Sequence, residues 1–223
     1  MEGRRRFLAQ CGGVLLGLAG LKNRSVQAGE KSKSAVQWGM IIDLNRCTGC
    51  QSCVIACKDR NHTPDRKFYT RLLLREQELK HRSAPLFLPI QCNQCSNAPC
   101  VEACSYNATF QLENGIVVID QEKCTGCGEC IDACPYGARF ANPSLANKAD
   151  KCNFCLDRIE AGKEPYCVEA CASGARLFGN ISKPEGEFAK KLADPRVTIR
   201  DSKGIQEAAV RYIPLADMGR RIS

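Results

Sequence analysis

Beyond residue 36 the apolar positions come in short runs, separated by polar stretches rich in glycine and cysteine. That pattern predicts brief strands and brief helices rather than long amphipathic ones. Met40-Ile41-Ile42 reads as a strand entering one cysteine group, and Ile116-Val117-Val118-Ile119 as a strand entering another. Ala108-Thr109-Phe110-Gln111-Leu112 followed by Asn114-Gly115 completes a hairpin signature with a two-residue turn. Ala138-Arg139-Phe140 and Ala175-Arg176-Leu177-Phe178 read as two further short strands. Leu72-Leu73-Leu74 and Leu86-Phe87-Leu88 predict a strand pair within residues 67–90. Short helices are expected over residues 53–58, 100–104, 129–134 and 168–171. After Asn180 the chain is polar and punctuated by Pro184, Pro195 and Pro214, which predicts mostly loop.

The first 28 residues follow a different pattern. Arg4-Arg5-Arg6-Phe7-Leu8 precedes an apolar, glycine-rich run to about Leu21, and Ser25-Val26-Gln27-Ala28 closes it with small residues. A charged start, a short apolar middle and a small-residue end make a signal peptide. The run is too short for a permanent anchor, and the paired arginines resemble a twin-arginine signal. Cleavage is expected after Ala28, with delivery to the periplasm. Cys11 lies in the discarded run, which leaves sixteen of the seventeen cysteines in the mature chain.

Composition sharpens this reading. Two histidines cannot serve as the main ligands of several metal sites, and one tryptophan among few aromatics implies a thin core. Cysteine-bound metal would then help hold the fold. The formal charge is +8, of which residues 1–28 carry +4. Removing them leaves a mature chain of only +4. Without an arginine stripe interleaved with aromatics, nucleic-acid binding is not indicated.

The sixteen cysteines form four groups: Cys47-x2-Cys50-x2-Cys53-x3-Cys57, Cys92-x2-Cys95-x4-Cys100-x3-Cys104, Cys124-x2-Cys127-x2-Cys130-x3-Cys134 with Pro135, and Cys152-x2-Cys155-x11-Cys167-x3-Cys171. The third matches the bacterial ferredoxin run in every spacing, and the first differs only in Lys58 at the proline position. Three close cysteines on a tight loop suit three corners of one cubane. The fourth is carried away toward a partner cluster, so clusters of this kind come in pairs. Zinc typically takes two Cys-x2-Cys pairs rather than a triplet. A disulfide framework cannot satisfy cysteines spaced three apart without rearranging the chain. Gly49 and Gly126 each follow Cys-Thr, where a missing side chain lets backbone N–H groups approach the sulfurs.

The chain also repeats itself. Residues 43–50 recur as 120–127, Cys92-Asn93-Gln94-Cys95 as Cys152-Asn153-Phe154-Cys155, and Cys100-Val101-Glu102-Ala103-Cys104 as Cys167-Val168-Glu169-Ala170-Cys171. Groups one and three are therefore one type, and groups two and four the other.

In this order and spacing, over about residues 36–180, the groups resemble the iron–sulfur subunits of the molybdopterin-containing dimethyl-sulfoxide reductase family. The Asp150-Lys151-Cys152-x2-Cys155 start of group four and Gly179-Asn180-Ile181-Ser182 look most like the tetrathionate, polysulfide or thiosulfate reductase B subunits. The nitrite-reductase-associated subunit and the DsrO protein are similar. The resemblance implies an α+β fold of two interlaced ferredoxin-like halves, each with two [4Fe–4S] clusters. The outer half would span residues 36–90 and 145–180 and the inner half 91–144, with 181–223 as an extension. It implies that groups one and four pair, as do groups two and three. Cluster one would then take Cys47, Cys50, Cys53 and Cys171, and cluster two Cys57, Cys152, Cys155 and Cys167. Cluster three would take Cys92, Cys95, Cys100 and Cys134, and cluster four Cys104, Cys124, Cys127 and Cys130. Some relatives put tryptophan at one of these positions and hold a three-iron cluster there; every position here is cysteine, so four cubanes are expected.

The implied function is electron relay without catalysis, between an integral-membrane, NrfD-like quinol-oxidising subunit and a molybdopterin-containing or other catalytic subunit. The half built on groups one and four would face the catalytic subunit, and the other half the membrane. No apolar span follows the signal, so the membrane would be reached through a partner. The alternative is a free-standing periplasmic polyferredoxin serving several partners. Arg60, Arg66, Lys67, Arg71 and Arg75 read as a solvated face or a docking edge. His62 and His81 read as surface residues, and Trp38 as packing.

Overall fold

A computed structural model describes residues 36–79, 83–202, 204–216, 218 and 222. The signal-peptide reading, Cys11 and His81 lie outside the described residues. In chain order the elements are β1 (Trp38–Asp43), α1 (Ser52–Asn61), β2 (Arg71–Glu78), β3 (Ser83–Ile90), α2 (Pro99–Glu102), β4 (Thr109–Gln111), β5 (Val117–Ile119), α3 (Glu129–Asp132), β6 (Arg139–Asn142), β7 (Lys148–Lys151), α4 (Leu156–Glu160), α5 (Tyr166–Glu169), β8 (Arg176–Asn180), α6 (Gly186–Leu192) and β9 (Val210–Ile213). The fold is α+β, with every element short.

β1 is the middle strand of a three-stranded sheet, antiparallel to β8 and parallel to β9. Its apolar residues are buried on both faces, as a central strand requires. Met40 and Ile42 join the main core with Leu88, Phe154 and Tyr212, whereas Ile41 points the other way onto Phe188 and Ile213. α6 covers that second face, and its Phe188 ring lies so close to β8 that a Cβ on Gly179 would sit 2.7 Å from it. A second core gathers Ala108, Val117, Cys130, Tyr136 and Ala149 with Ala208 from the C-terminal stretch. Trp38 stacks on Phe178 at 5.2 Å, a packing role.

Two expectations need correction. The stretch after Asn180 is not mostly loop, because it supplies α6 and the sheet strand β9. Its prolines bracket these elements rather than abolish them: Pro184 precedes α6, Pro195 follows it, and Pro214 follows β9. The β4–β5 hairpin turns through three residues rather than two. Leu112 N–H donates to Ile116 O at 2.9 Å, and Gly115 takes φ +85°, the left-handed glycine of a three-residue hairpin loop. The structure adds β7 and α4 to the predicted elements; β7 pairs with β6 from Arg139↔Lys151 to Asn142↔Lys148.

The helices that begin within the two ferredoxin-type groups differ in length for a local reason. Pro135 follows the last cysteine of group three, and α3 ends at Asp132. Lys58 holds that place in group one, so α1 continues to Asn61. The Lys58 ammonium then donates to Thr63 O, Pro64 O and Lys67 O at 3.1, 2.8 and 3.3 Å, closing the loop beyond the helix. The neighbouring basic residues are also engaged locally. Arg71 donates to Gly137 O, Lys67 lies over the Phe140 ring and Arg66 pairs with Asp65. His62 is exposed at the end of α1. Among the described residues no helix is long and apolar enough to cross a membrane.

Candidate iron–sulfur centres

The cysteine loops turn through left-handed backbone at matching places. In group one Gly49 and Gln51 have φ +74° and +62°; in group three Gly126 and Gly128 have +80° and +86°. Residues of this hand between extended ones turn successive N–H groups toward one side, a cradle for anionic sulfur. Space enforces glycine as well as conformation, since a Cβ on Gly49 would come within 2.5 Å of the Phe87 ring. In the second type of group, Gln94 and Phe154 take the corresponding positive φ.

The structure brings the sixteen thiols together around four cavities, none of them lined by a single sequence group. Cys47, Cys50, Cys53 and Cys171 line the first. Cys57, Cys152, Cys155 and Cys167 line the second. Cys92, Cys95, Cys100 and Cys134 line the third. Cys104, Cys124, Cys127 and Cys130 line the fourth. All sixteen are free thiols. Among the described residues no three cysteine, histidine or carboxylate side chains converge as ligands of one ion do; the thiols ring a space instead. A donor set of four sulfurs around a cavity fits an iron–sulfur cubane better than a single tetrahedral zinc.

Short helices link the cavities in two pairs. α1 carries Cys53 to the first and Cys57 to the second, while α5 and the residues after it carry Cys167 to the second and Cys171 to the first. α2 and α3, each with the residues after it, do the same for the third and fourth, with Cys100 and Cys104, and Cys130 and Cys134. Four residues of helix advance about 6 Å, so paired cavities lie close. Between the pairs, the buried Gln94 donates to Cys152 O at 2.9 Å and accepts from Val117 N–H at 2.8 Å.

Protein groups already point at the sulfurs. Thr109 N–H donates to Cys104 Sγ at 3.3 Å, Phe154 N–H to Cys152 Sγ at 3.4 Å and Ala138 N–H to Cys134 Sγ at 3.5 Å. Burial, with Cys167 nearby, pushes the Cys57 thiol up to about 12, and burial pushes Cys95 to about 12 and Cys167 to about 11. These thiols resist ionisation unless a cation takes the proton's place. The exposed Cys50 is held below its usual value by the Ser52 hydroxyl and N–H. Among the described residues Cys50, in the first quartet, and Cys127, in the fourth, are the two exposed cysteines.

Sequence reading missed three side chains beside these cavities: Arg139, Lys151 and Arg176. A signal existed, because Gly-Ala-Arg recurs at residues 137–139 and 174–176, each time ending five residues after the last cysteine of its group.

A chain that folds four thiol quartets around four cavities, with N–H donors aimed at the sulfurs, is an iron–sulfur protein. The family model of the 4Fe–4S dicluster domain matches residues 84–181, and that of a 4Fe–4S binding domain matches residues 38–59. The tetrathionate reductase B subunit of Salmonella typhimurium is 41% identical over 204 residues, covering 88% of this chain and 81% of the relative. The polysulfide reductase B polypeptide of Wolinella succinogenes is 40% identical over 174 residues, covering 76% and 91%. Protein NrfC of Escherichia coli is 37% identical over 196 residues, covering 85% of each. The protein belongs to this family of iron–sulfur electron-transfer subunits of reductase complexes. Its cofactors are [4Fe–4S] clusters, four by the count of thiol quartets.

Proposed function

We propose that the chain relays electrons through four [4Fe–4S] clusters between a membrane quinol-oxidising subunit of the NrfD-like kind and a molybdopterin-containing or other catalytic subunit. The complex would be an anaerobic respiratory oxidoreductase acting on sulfur or nitrogen compounds. The observation that carries this reading is the set of four cavities, each ringed by four thiols drawn from two cysteine groups. Cys47, Cys50, Cys53 and Cys171 would hold one cluster, and Cys57, Cys152, Cys155 and Cys167 the next. Cys92, Cys95, Cys100 and Cys134 would hold a third, and Cys104, Cys124, Cys127 and Cys130 the fourth.

The clusters supply one-electron redox chemistry at potentials set by their surroundings. The chain fixes them on short helices, excludes water from most of the thiols and directs N–H groups at sulfur. With four cysteines per cluster no iron is left open to substrate, which matches a non-catalytic role. The helix crossings support two interlaced halves, residues 36–90 with 145–180 and residues 91–144, extended by 181–223. Cys50 and Cys127 give the relay an exposed end in each half. The half holding Cys50 would face the catalytic subunit, and the half holding Cys127 the membrane subunit. The relatives' names, which include tetrathionate, thiosulfate and polysulfide reductase subunits, support the substrate class. Residues 1–28 would send the folded, loaded protein to the periplasm by the twin-arginine route, where a partner subunit ties it to the membrane.

Anaerobic purification of the tagged chain from its host's solubilised membranes tests the reading. Recovery of an integral-membrane subunit together with a molybdopterin protein is expected. A loaded chain that comes away alone, and is reduced by several soluble donors, would establish the free-standing polyferredoxin instead.

A further inference from the structure

We infer that a buried cation stands at each junction between neighbouring cysteine quartets and sets the reduction potentials of the two clusters it faces: Arg176 between the first and second, Lys151 between the second and third, and Arg139 between the third and fourth. The inference rests on the proposal that the quartets hold clusters.

Arg176 is 3% exposed. It lines the first cavity, yet its Nη1 reaches three residues that line the second: Gln91 Oε1 at 3.1 Å, Met40 Sδ at 3.3 Å and Cys167 Sγ at 3.7 Å. Its charge faces Cys167 of the second quartet and Cys53 of the first. Arg139 repeats the arrangement in the other pair. It is 4% exposed and lines the third cavity. It donates from Nη2 to Cys100 Sγ at 3.0 Å and from Nη1 to Thr109 Oγ1, on the wall of the fourth, at 3.1 Å. It also faces Cys130 of the fourth quartet. Lys151, 4% exposed, donates to Val117 O on the wall of the third cavity and to Cys152 O in the second. The adjacent Asp150 carboxylate is taken up by Asn142 Nδ2 and the Lys151 backbone N–H rather than by the ammonium.

A buried cation without a counter-charge is strongly disfavoured. Among the described residues no carboxylate pairs with any of these three. An arginine guanidinium keeps its proton at any working pH, so the charge must be answered where it stands. Arg176 Nε and Nη2 and Arg139 Nε have no protein hydrogen-bond partner although they are buried. Anionic sulfur on both sides answers the charge and the unused donors together. A cation between two clusters favours the more negative, reduced form of each, so removing it lowers both potentials.

The test is an anaerobic redox titration of the holoprotein, followed by electron paramagnetic resonance, with iron measured in every sample. R176M is expected to weaken reduction of two clusters by tenfold or more, which is 59 mV or more for a one-electron step. The other two clusters should hold their wild-type values. R139M should shift the complementary pair. K151M should shift one cluster from each pair, and R176K should restore wild-type behaviour. Iron lost from R176M but retained with wild-type potentials in R176K also supports the role of charge. Unchanged potentials in fully loaded R176M, a uniform shift of all four clusters, or equal damage in R176M and R176K would overturn it. Wild-type protein with fewer than four clusters would instead defeat the underlying reading.

Discussion

Cys53 and Cys57 stand one helical turn apart on α1 and line two different cavities. One turn of helix thus joins two centres, which is the local origin of a closely spaced relay. The C53A variant should therefore damage the first centre and C57A the second, each removing about four of about sixteen irons. Iron analysis with electron paramagnetic resonance checks this. Loss of the same signal in both variants would contradict it.

Lys58 stands where group three has a proline, and the difference is structural. A K58P variant would interrupt α1 ahead of Asn61 and delete three ammonium–carbonyl hydrogen bonds. The expected destabilisation is about 3 kcal/mol or more, read by denaturant unfolding under anaerobic conditions.

Two glycines separate backbone strain from crowding. Gly128 has φ +86° with open space around its missing side chain, so G128A should cost about 1 kcal/mol. Gly49 has φ +74° and lies against the Phe87 ring, so G49A should cost more, about 1–3 kcal/mol, and hinder loading of the first quartet. Equal effects on stability and iron content would contradict this account.

The C-terminal stretch is anchored by an ion pair. Lys191 on α6 donates to Asp43 Oδ2 on β1 at 2.7 Å, with the carboxylate nearly buried and the ammonium partly exposed. Burial pulls the Asp43 pKa up, but hydrogen bonds from Lys191 and Asn45 outweigh it and hold the carboxyl below its ordinary 3.8. A lowered folded-state pKa stabilises the fold above the unfolded value and loses that contribution as pH falls through the folded one. D43N should therefore be less stable than wild type by about 1–3 kcal/mol. The gap should hold from pH 7 to near 4 and close only below 3.8. Unfolding curves across that range decide it.

Legibility in the sequence followed locality. The β2–β3 pair showed because β3 alternates, with Ala84, Leu86 and Leu88 buried and Pro85 exposed. The cysteine groups showed through spacing and internal repetition. Spacing alone, however, does not say which group receives the last cysteine of another, and that expectation came from resemblance. β9 was hidden because its partner β1 lies about 170 residues away in sequence, and four residues carry too little pattern to outweigh three nearby prolines. Arg139 and Arg176 were legible only as parts of strands. Their chemistry depends on facing two quartets at once, which no local window contains.

Iron and acid-labile sulfide, counted per chain in anaerobically purified protein, decide whether the thiol quartets hold cubanes. Brown protein with about sixteen irons and as many sulfides is expected, distributed over four distinguishable reduced-cluster signals. Colourless protein, zinc in place of iron, or disulfide-linked cysteines would contradict it.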